Sequence, residues 1–579
     1  MKKIIFLFIA ILTLVSCEDF LTVDSSTQKT PEDYYTSEEA IRKNTAALYC
    51  YPWFEFYGQL MVYAGDQLAG NVYYTYADAG HFYYNKVGAG NSFSKSGWEG
   101  LYRVINWSNT LITDMPVVAK ANGVAQSAID QAVAEARFMR GTAYIFLAEL
   151  WGDVPIIENA TALMTSGVPK DIYVNRHTQS SIYRFICEDL EYAVSVLQPV
   201  DPDNAPGRVT QWGAKGMLAR AYLQRAAYEG NDEYYTRVKE LTFDVIENSG
   251  LYLLSSYAAL FDVNNNNNRE SLFAFQCRVG GYGYGNPRNA FWARSSRLGP
   301  QAWGGGLGPS ISLQEIFTDA NDTRRKATFM LADDIYPELG GYKYQITYRE
   351  PDKLATVVEN SNFVLSNFKK YIIGNPDVNG GMVGLDQDGA NNLYVLRLAD
   401  VYLMYVEACI GLNNATDDAT AKGYFNYVRH RAGITSDFNT DITFADVLLE
   451  RRKEFAFEGI NWFDVKRFYY RDHQAALDYL NGMQRDRIWA MDYNGPDDTT
   501  EDDDYNKQSD AVKYEWENNK SNYYLSWETV VDPDNRAKDG SDRIENILFS
   551  DASMKLTLPA SVTSVAPILL EPAVDFYNQ

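Results

Sequence analysis

Side chains that could bind a flat ligand are concentrated in the segment 49–84. It contains nine tyrosines in 36 residues, against 43 in the whole chain of 579. Such rings stack on the apolar faces of ligands while their polar atoms form hydrogen bonds. We select Tyr73, Tyr74 and Asp66 as candidate ligand-binding residues, together with Trp98, which we place in a glycine-flanked loop. The competing interpretation is that these tyrosines form the core of a subdomain.

A second candidate segment, 271–314, has no Asp, Glu or Lys but contains four arginines, at 278, 288, 294 and 297. Glycine is frequent here, and it lets a loop bring its rings close to a ligand. A guanidinium can bind paired hydroxyls or a carboxylate in a fork. The candidate ligand-binding residues of this segment are Tyr282, Tyr284, Trp292, Trp303 and Arg288.

Composition excludes several classes of protein. With 46% hydrophobic and 22% charged residues, the chain is globular. Its net charge of −24 repels phosphate, so it is not a general nucleic-acid binder. Four histidines in the whole chain argue against a histidine-rich metal enzyme. We expect no catalytic residues, no cofactor and no metal site. An acidic cluster at 497–504 lacks the spacing and the glycine of an EF-hand, so we interpret it as a solvated loop rather than a calcium site.

The first 16 residues are typical of a bacterial lipoprotein signal peptide. Lys2 and Lys3 precede an apolar run of about twelve residues, which is too short to span a bilayer. Leu14-Val15-Ser16-Cys17 follows the apolar run, so we expect cleavage before Cys17 and lipidation of its sulfur. The domain itself would occupy residues 17–579. Of the other cysteines, at 50, 187, 277 and 409, we favour buried thiols over disulfides.

Helices must position the candidate residues. Apolar side chains recur with helical period in the windows 134–151, 181–197, 211–225, 396–410 and 419–431. Alanine and glycine recur on these faces, as in paired-helix repeats of the tetratricopeptide kind. We expect helical-repeat blocks near 131–250 and 393–470. Loop-rich stretches near 50–110, 262–392 and 482–548 would form a ligand-binding layer.

Four blocks resemble the SusD/RagB family of outer-membrane lipoproteins of Bacteroidetes. They read AEARFMRGTAYIFLAELWGDVPII at 134–157, GRVTQWGAKGMLARAYL at 207–223, LRLADVYLMYVEACIGLNNATDDATAKGYFNYVRHRAGI at 396–434 and LERRKEFAFEGINWFDVKRF at 449–468. The resemblance implies a mostly α-helical fold, with about four tetratricopeptide-like helix pairs beneath a loop-rich layer. Its signature residues have scaffold roles, and we expect Arg451, Arg452, Glu454 and Glu458 to pair along one helix.

The resemblance also implies a function. Members are non-catalytic, are anchored on the outer face of the outer membrane, and capture oligosaccharides for a SusC-like TonB-dependent transporter. Some members handle peptides, so a peptide-capturing receptor is an alternative, and a surface glycoside hydrolase is a weaker one. The four arginines of 271–314 raise an acidic or sulfated glycan as a hypothesis. Pairing of these arginines with carboxylates elsewhere in the chain is the competing interpretation.

Overall fold

The protein is mostly α-helical in a computed structural model that describes residues 34–74, 77–159, 174–294, 296, 298–304, 307–331, 334–343, 366–483, 485, 487–493, 524–531 and 547–578. Cys17, the acidic cluster 497–504 and Arg297 lie outside these ranges. The helices of at least seven residues are Glu38–Ala46 (α1), Ala77–Tyr83 (α2), Ser92–Thr113 (α3), Met115–Ala121 (α4), Gln126–Trp151 (α5), Gln179–Val196 (α6), Gln211–Glu229 (α7), Asp232–Asn248 (α8), Leu398–Ile410 (α9), Ala419–Arg431 (α10), Phe444–Phe455 (α11), Asn461–Arg471 (α12) and His473–Asn481 (α13).

Consecutive helices pack in pairs. Helix α5 lies against α6, α7 against α8, α9 against α10, and α11 against α12, and neighbouring pairs also contact one another. Small residues help this close approach: a Cβ atom on Gly141 of α5 would lie 3.1 Å from the Leu190 side chain of α6. The predicted helical-repeat scaffold is therefore confirmed, and each of the five windows with helical period forms a helix.

Short helical turns and short strands connect the long helices. The turns are Ala47–Tyr49, Tyr51–Trp53, Phe56–Leu60, Tyr63–Gln67, Ala258–Phe261, Val263–Asn265, Arg288–Trp292, Ile311–Gln314, Arg324–Thr328, Pro337–Leu339, Pro376–Asn379, Asp551–Met554, Ala560–Thr563 and Pro567–Leu570. The strands are Val72–Tyr73 (β1), Ser271–Phe275 (β2), Gly308–Pro309 (β3), Phe329–Leu331 (β4), Ile335–Tyr336 (β5), Tyr342–Lys343 (β6), Ser366–Phe368 (β7), Leu393–Arg397 (β8), Ala415–Thr416 (β9), Ile442–Thr443 (β10), Arg487–Tyr493 (β11) and Tyr524–Val531 (β12).

Every sheet formed by these strands is a two-stranded antiparallel pair. The pairs are β1–β3, β2–β8, β4–β7, β5–β6, β9–β10 and β11–β12. The β2–β8 pair matters most for the site, because it holds Phe275 opposite Leu393. Strand β8 runs directly into α9, so the segment that follows β2 is fixed to the helical scaffold.

Helix ends follow the expected chemistry. Helix α5 ends where Gly152 adopts a positive φ of 75°, as the Trp-Gly-Asp-Val-Pro sequence predicts. At the start of α11, the Thr443 hydroxyl accepts from the Asp446 N–H while the Asp446 carboxylate accepts from the Thr443 N–H. This reciprocal capping satisfies two backbone donors that would otherwise lack partners.

A buried ion-pair network joins the helices to the loops. Glu454 accepts hydrogen bonds from Arg397 at 2.6 Å, from Arg324 at 3.1 Å and from Arg431. Glu458 binds both Arg397 and Lys370, at 2.9 and 3.0 Å. Each of these side chains is almost completely buried.

The expectation that the signature residues Arg451, Arg452, Glu454 and Glu458 pair with one another along one helix is therefore wrong. Arg451 binds Asp400 of α9 and Asp464 of α12, and Arg452 donates to Asn71. The reason is burial: α11 is enclosed on several sides, so its charges meet partners on other elements rather than the solvent. The expected scaffold role is consistent with this burial.

The described residues contain no helix that is both long and apolar enough to cross a membrane. Within the same residues, no cluster of His, Cys, Asp and Glu has the arrangement of a metal site. Cys50, Cys187, Cys277 and Cys409 are all free thiols, and Cys187 and Cys277 are buried.

Candidate functional site

The predicted loop around Trp98 is wrong. Trp98 lies within α3, is 4% exposed, and packs edge-on against Trp151 with ring centroids 5.2 Å apart. The flanking glycines serve close packing: a Cβ atom on Gly97 would lie 2.0 Å from the Leu60 side chain. Helix α3 also shows that the stretch 50–110 is not simply loop-rich.

The candidates of the segment 49–84 are largely core residues. Tyr73 is buried and contacts Tyr83 edge-on, and Tyr74 is half-buried beside Tyr63. Asp66 is fully buried and accepts hydrogen bonds from the Phe457 and Gly459 N–H groups and from Asn71. Burial raises the pKa of Asp66 to about 6 despite these bonds. The competing interpretation, that these tyrosines form core, holds at these positions.

Trp292 and Arg288 are also buried, so neither forms part of an exposed ligand surface. Trp292 is 2% exposed and packs on Phe368 with centroids 4.5 Å apart. The Arg288 guanidinium donates to the Phe457 carbonyl at 3.1 Å and lies 4.7 Å from the ring centroid of Tyr371. These contacts hold the guanidinium inside the protein, and burial lowers its pKa.

Three of the predicted aromatic residues do reach the surface. Tyr282 is 57% exposed and Trp303 is 52% exposed, while Tyr284 is half-buried. Tyr282 packs edge-on against Phe54 with centroids 4.7 Å apart, and Trp303 packs against Phe291 at 5.6 Å. These contacts support each ring from below and leave the rest of it open to solvent.

Tyr282 and Tyr284 belong to a larger exposed group of rings, which we call the aromatic face: Tyr51, Trp107, Tyr282 and Tyr284. Tyr51 stacks on Tyr284 with centroids 5.2 Å apart and on Trp107 with centroids 6.2 Å apart, at interplanar angles of 30° and 29°. Tyr51 is 40% exposed and Trp107 is 38% exposed. Three rings thus form a continuous row, with Tyr282 beside it.

Separate elements hold the row in place. Trp107 lies on α3, and Tyr51 begins the helical turn Tyr51–Trp53. The loop that carries Tyr282 and Tyr284 is fixed by Asp388, whose carboxylate accepts from the N–H groups of Gly280 and Gly281 at 2.8 and 3.1 Å. Because the rings are anchored before a ligand arrives, binding would cost little conformational ordering.

A cation and a carboxylate lie at the aromatic face. The exposed Arg278 guanidinium lies 4.7 Å from the centroid of Tyr284, on the same ring that stacks on Tyr51. Among the described residues, neither Arg278 nor Arg288 pairs with a carboxylate within 4.0 Å, so pairing with acidic residues does not explain these two arginines. Burial raises the pKa of Tyr282, and the nearby Glu55 raises it further.

Sequence reasoning missed Trp107 and did not select Tyr51. Trp107 shares one face of α3 with Arg103, about one turn before it, and Thr110, about one turn after it, and Asn106 lies beside it. A tryptophan on an otherwise polar helix face is the signal that could have found it.

A concavity of about 770 Å³ lies on the helical scaffold, away from the residues of the aromatic face. Its walls include Tyr228 of α7, Tyr470 of α12 and Tyr577 near the C-terminus. Its charged groups already have partners: Arg184 donates to Glu188 at 2.9 Å, and Arg225 to Glu229 at 3.1 Å. This cleft therefore offers a ligand fewer free polar groups than its size suggests.

Comparison with known families gives two matches that together span most of the chain. Residues 19–223 match a family described as starch-binding associating with outer membrane. Residues 314–526 match the SusD family. The first range contains Tyr51 and Trp107 of the aromatic face.

Individual relatives agree. A SusD-like protein of Bacteroides ovatus is 32% identical over 499 residues, covering 84% of this chain and 85% of the relative. The SusD-like protein P25 of Formosa agariphila is 26% identical, covering 75% and 82%. A crystal structure with xylogluco-oligosaccharide is 28% identical with a TM-score of 0.74, covering 93% of this chain and 99% of that one. The chain belongs to the SusD family.

Proposed function

We propose that this protein captures an oligosaccharide on its aromatic face at the cell surface and delivers it to a SusC-like TonB-dependent transporter. The observation that carries the proposal is the exposed row formed by Trp107, Tyr51 and Tyr284, with Tyr282 beside it. The C–H faces of a sugar are apolar and stack on such rings, while its hydroxyl groups need hydrogen-bond partners. Glu55 and Arg278 lie where they can supply such partners.

Membership of the SusD family makes the protein a glycan-binding, non-catalytic protein associated with the outer membrane. The proposal adds the identity of the binding surface, the anchor and the partner. Reversible capture by stacking and hydrogen bonds needs no reaction. Affinity of modest strength suits a protein that passes its ligand on, because a slow dissociation rate would delay transfer.

The binding surface is tested by calorimetry with the full chain in detergent and a panel of oligosaccharides from xyloglucan, laminarin and starch. Trp107→Ala and Tyr282→Ala each remove one exposed ring. Stacking on one ring is worth about 0.5–1.5 kcal/mol, so each should weaken affinity by roughly 2- to 13-fold. Tyr252→Ala is the matched control, because Tyr252 is 52% exposed and is not part of the aromatic face.

Glycan binding that Trp107→Ala and Tyr282→Ala weaken and Tyr252→Ala leaves unchanged would support the proposal. If all three variants bind the glycan with the affinity of the wild-type protein, the site lies elsewhere. No binding to any glycan, together with binding to peptides, would replace the proposal with a peptide receptor.

The anchor and the partner have separate tests. Cys17→Ser should release the protein from the membrane fraction, because stable anchoring needs several acyl chains. A transporter of the outer membrane should co-purify with the wild-type protein in mild detergent. Recovery of Cys17→Ser in the membrane fraction at the wild-type level would contradict the lipid anchor, and absence of any transporter would contradict the delivery step.

A further inference from the structure

Two segments that carry the aromatic face run side by side beneath it. The Gln276 N–H donates to the Tyr49 carbonyl at 3.0 Å. The Phe275 ring packs on Tyr57 with centroids 5.1 Å apart and on Trp53 at 5.0 Å. The segments 49–57 and 273–277 are therefore in close contact along their length.

Each segment carries one cysteine at the point of contact. Cys50 follows Tyr49 and Cys277 follows Gln276, and the Arg278 N–H, directly after Cys277, donates to the Tyr284 carbonyl at 2.8 Å. The Cys50 sulfur also lies 3.4 Å from the Tyr57 hydroxyl and donates to the Tyr284 carbonyl at 3.2 Å. A disulfide requires Cα atoms about 4.4–6.8 Å apart. The shared Tyr284 carbonyl holds the Cys50 sulfur beside the backbone that carries Cys277, which favours this spacing.

The two thiols differ in reactivity. The hydrogen bond from Cys277 lowers the pKa of Cys50, and Arg278 lowers it further, although burial opposes both. Burial raises the pKa of Cys277. Since the thiolate is the nucleophile in disulfide exchange, Cys50, which is half-buried, is the sulfur that attacks first.

We propose that Cys50 and Cys277, which this structure holds as two free thiols, are oxidised in the exported protein to a disulfide that ties together the two segments bearing the aromatic face. Cys50 directly precedes Tyr51, and Cys277 directly precedes Arg278, which lies over Tyr284. The oxidant is a disulfide of the exported-protein folding machinery: the Cys50 thiolate attacks it and forms a mixed disulfide, and Cys277 then displaces the second thiol. Two protein thiols are oxidised and one donor disulfide is reduced to two thiols.

The other two described cysteines are natural controls. Cys187 lies inside α6, where burial raises its pKa to about 12, and Cys409 lies inside α9, where burial raises its pKa to about 11. Among the described residues, no other cysteine is a cause of either pKa shift. Both should remain thiols under conditions that oxidise the Cys50–Cys277 pair.

The test is peptide mapping of the wild-type protein, isolated from the cell envelope in detergent with N-ethylmaleimide present from lysis. Digestion without reductant should give one cross-linked species joining the peptides of Cys50 and Cys277, two hydrogens lighter than their sum. Cys187 and Cys409 should carry the maleimide adduct after unfolding. Recovery of both Cys50 and Cys277 as maleimide adducts, in this sample and in a parallel one incubated with oxidised glutathione before the maleimide is added, would overturn the proposal.

Hydrogen exchange tests what the cross-link does, independently of whether a glycan binds. Reduction with dithiothreitol should speed amide exchange in residues 278–285 several-fold. Cys50→Ser should already show the fast rate and lose the response to reductant, while Cys187→Ser should keep it. Equal exchange rates at 278–285 in the oxidised and reduced wild-type protein would refute the claim that the disulfide fixes this loop.

Discussion

Replacing Glu454 with glutamine removes the central negative charge of the buried ion-pair network while nearly keeping the size of the side chain. Glu454 is fully buried and accepts from Arg397 at 2.6 Å, from Arg324 at 3.1 Å and from Arg431. In the variant, three buried guanidinium groups would share less negative charge. Their remaining partners are Asp322, Glu450, Glu270 and Glu458. The cost is therefore that of removing one negative charge from a buried network in which cations and carboxylates pair.

The expected loss is about 3–5 kcal/mol in the free energy of unfolding, since this is the usual cost of removing one partner from a buried ion pair. Glu240→Gln is the matched control. Glu240 pairs with Arg237 at 3.0 Å, but the two side chains are 59% and 43% exposed. An exposed pair on one helix contributes about 0.3–0.5 kcal/mol, so the control should be nearly neutral.

The difference between wild type and Glu454→Gln should depend on pH. Burial alone would raise the pKa of Glu454, but Arg431, Arg397 and Arg324 hold it well below its usual value. A carboxylate whose pKa is lowered by folding contributes its full stability above the pKa of the unfolded state, about 4.3, and loses that contribution as the pH falls further. The stability gap should thus be largest near pH 7 and should narrow below about pH 4.

Urea denaturation at pH 7 and at pH 3.5, followed by circular dichroism, measures this gap for both variants. A Glu454→Gln protein within 1 kcal/mol of wild type at pH 7 would refute the reasoning. So would a gap that widens on acidification.

Three further substitutions test individual assignments. Trp98→Ala should lower the free energy of unfolding by about 3–5 kcal/mol in urea denaturation, because it empties a buried site; a stable Trp98→Ala protein with impaired glycan binding would contradict the core assignment. Gly97→Val should lower the free energy of unfolding by about 1–3 kcal/mol, because the valine side chain would collide with Leu60. Gly88→Ala is the control: the space around Gly88 is open, so this variant should melt at the wild-type temperature. Equal melting temperatures for the two variants would be inconsistent with the close contact at Gly97. Burial raises the pKa of Asp66 to about 6, so ionising Asp66 in the folded protein costs stability as the pH rises. The melting temperature of the wild-type protein, measured relative to that of Asp66→Asn, should therefore fall between about pH 4 and pH 6. The opposite trend would exclude a raised pKa.

The scaffold could be predicted because its helices are long and their apolar side chains recur with helical spacing. The window 419–431 coincides with α10 as the structure has it, and the window 211–225 lies inside α7. These patterns depend only on local spacing along the chain.

The site was harder to predict because the sequence does not show which rings of the tyrosine-rich segment are exposed and which are buried. Tyr57 is fully buried, whereas Tyr51, six residues earlier, is 40% exposed. Both have the same chemistry and similar neighbours in sequence, and contacts with β2 and with α3 decide between them. Trp98 misled for a related reason, since its glycines suit a loop and a helix contact equally well in the sequence alone.

Glycan capture by the aromatic face is tested most directly by a crystal structure of the protein soaked with the oligosaccharide that binds best in calorimetry. We expect sugar rings against Trp107, Tyr51 and Tyr282, with hydroxyl groups within hydrogen-bonding distance of Arg278 or Glu55. An oligosaccharide in the cleft between Tyr228, Tyr470 and Tyr577, with the aromatic face empty, would contradict the account.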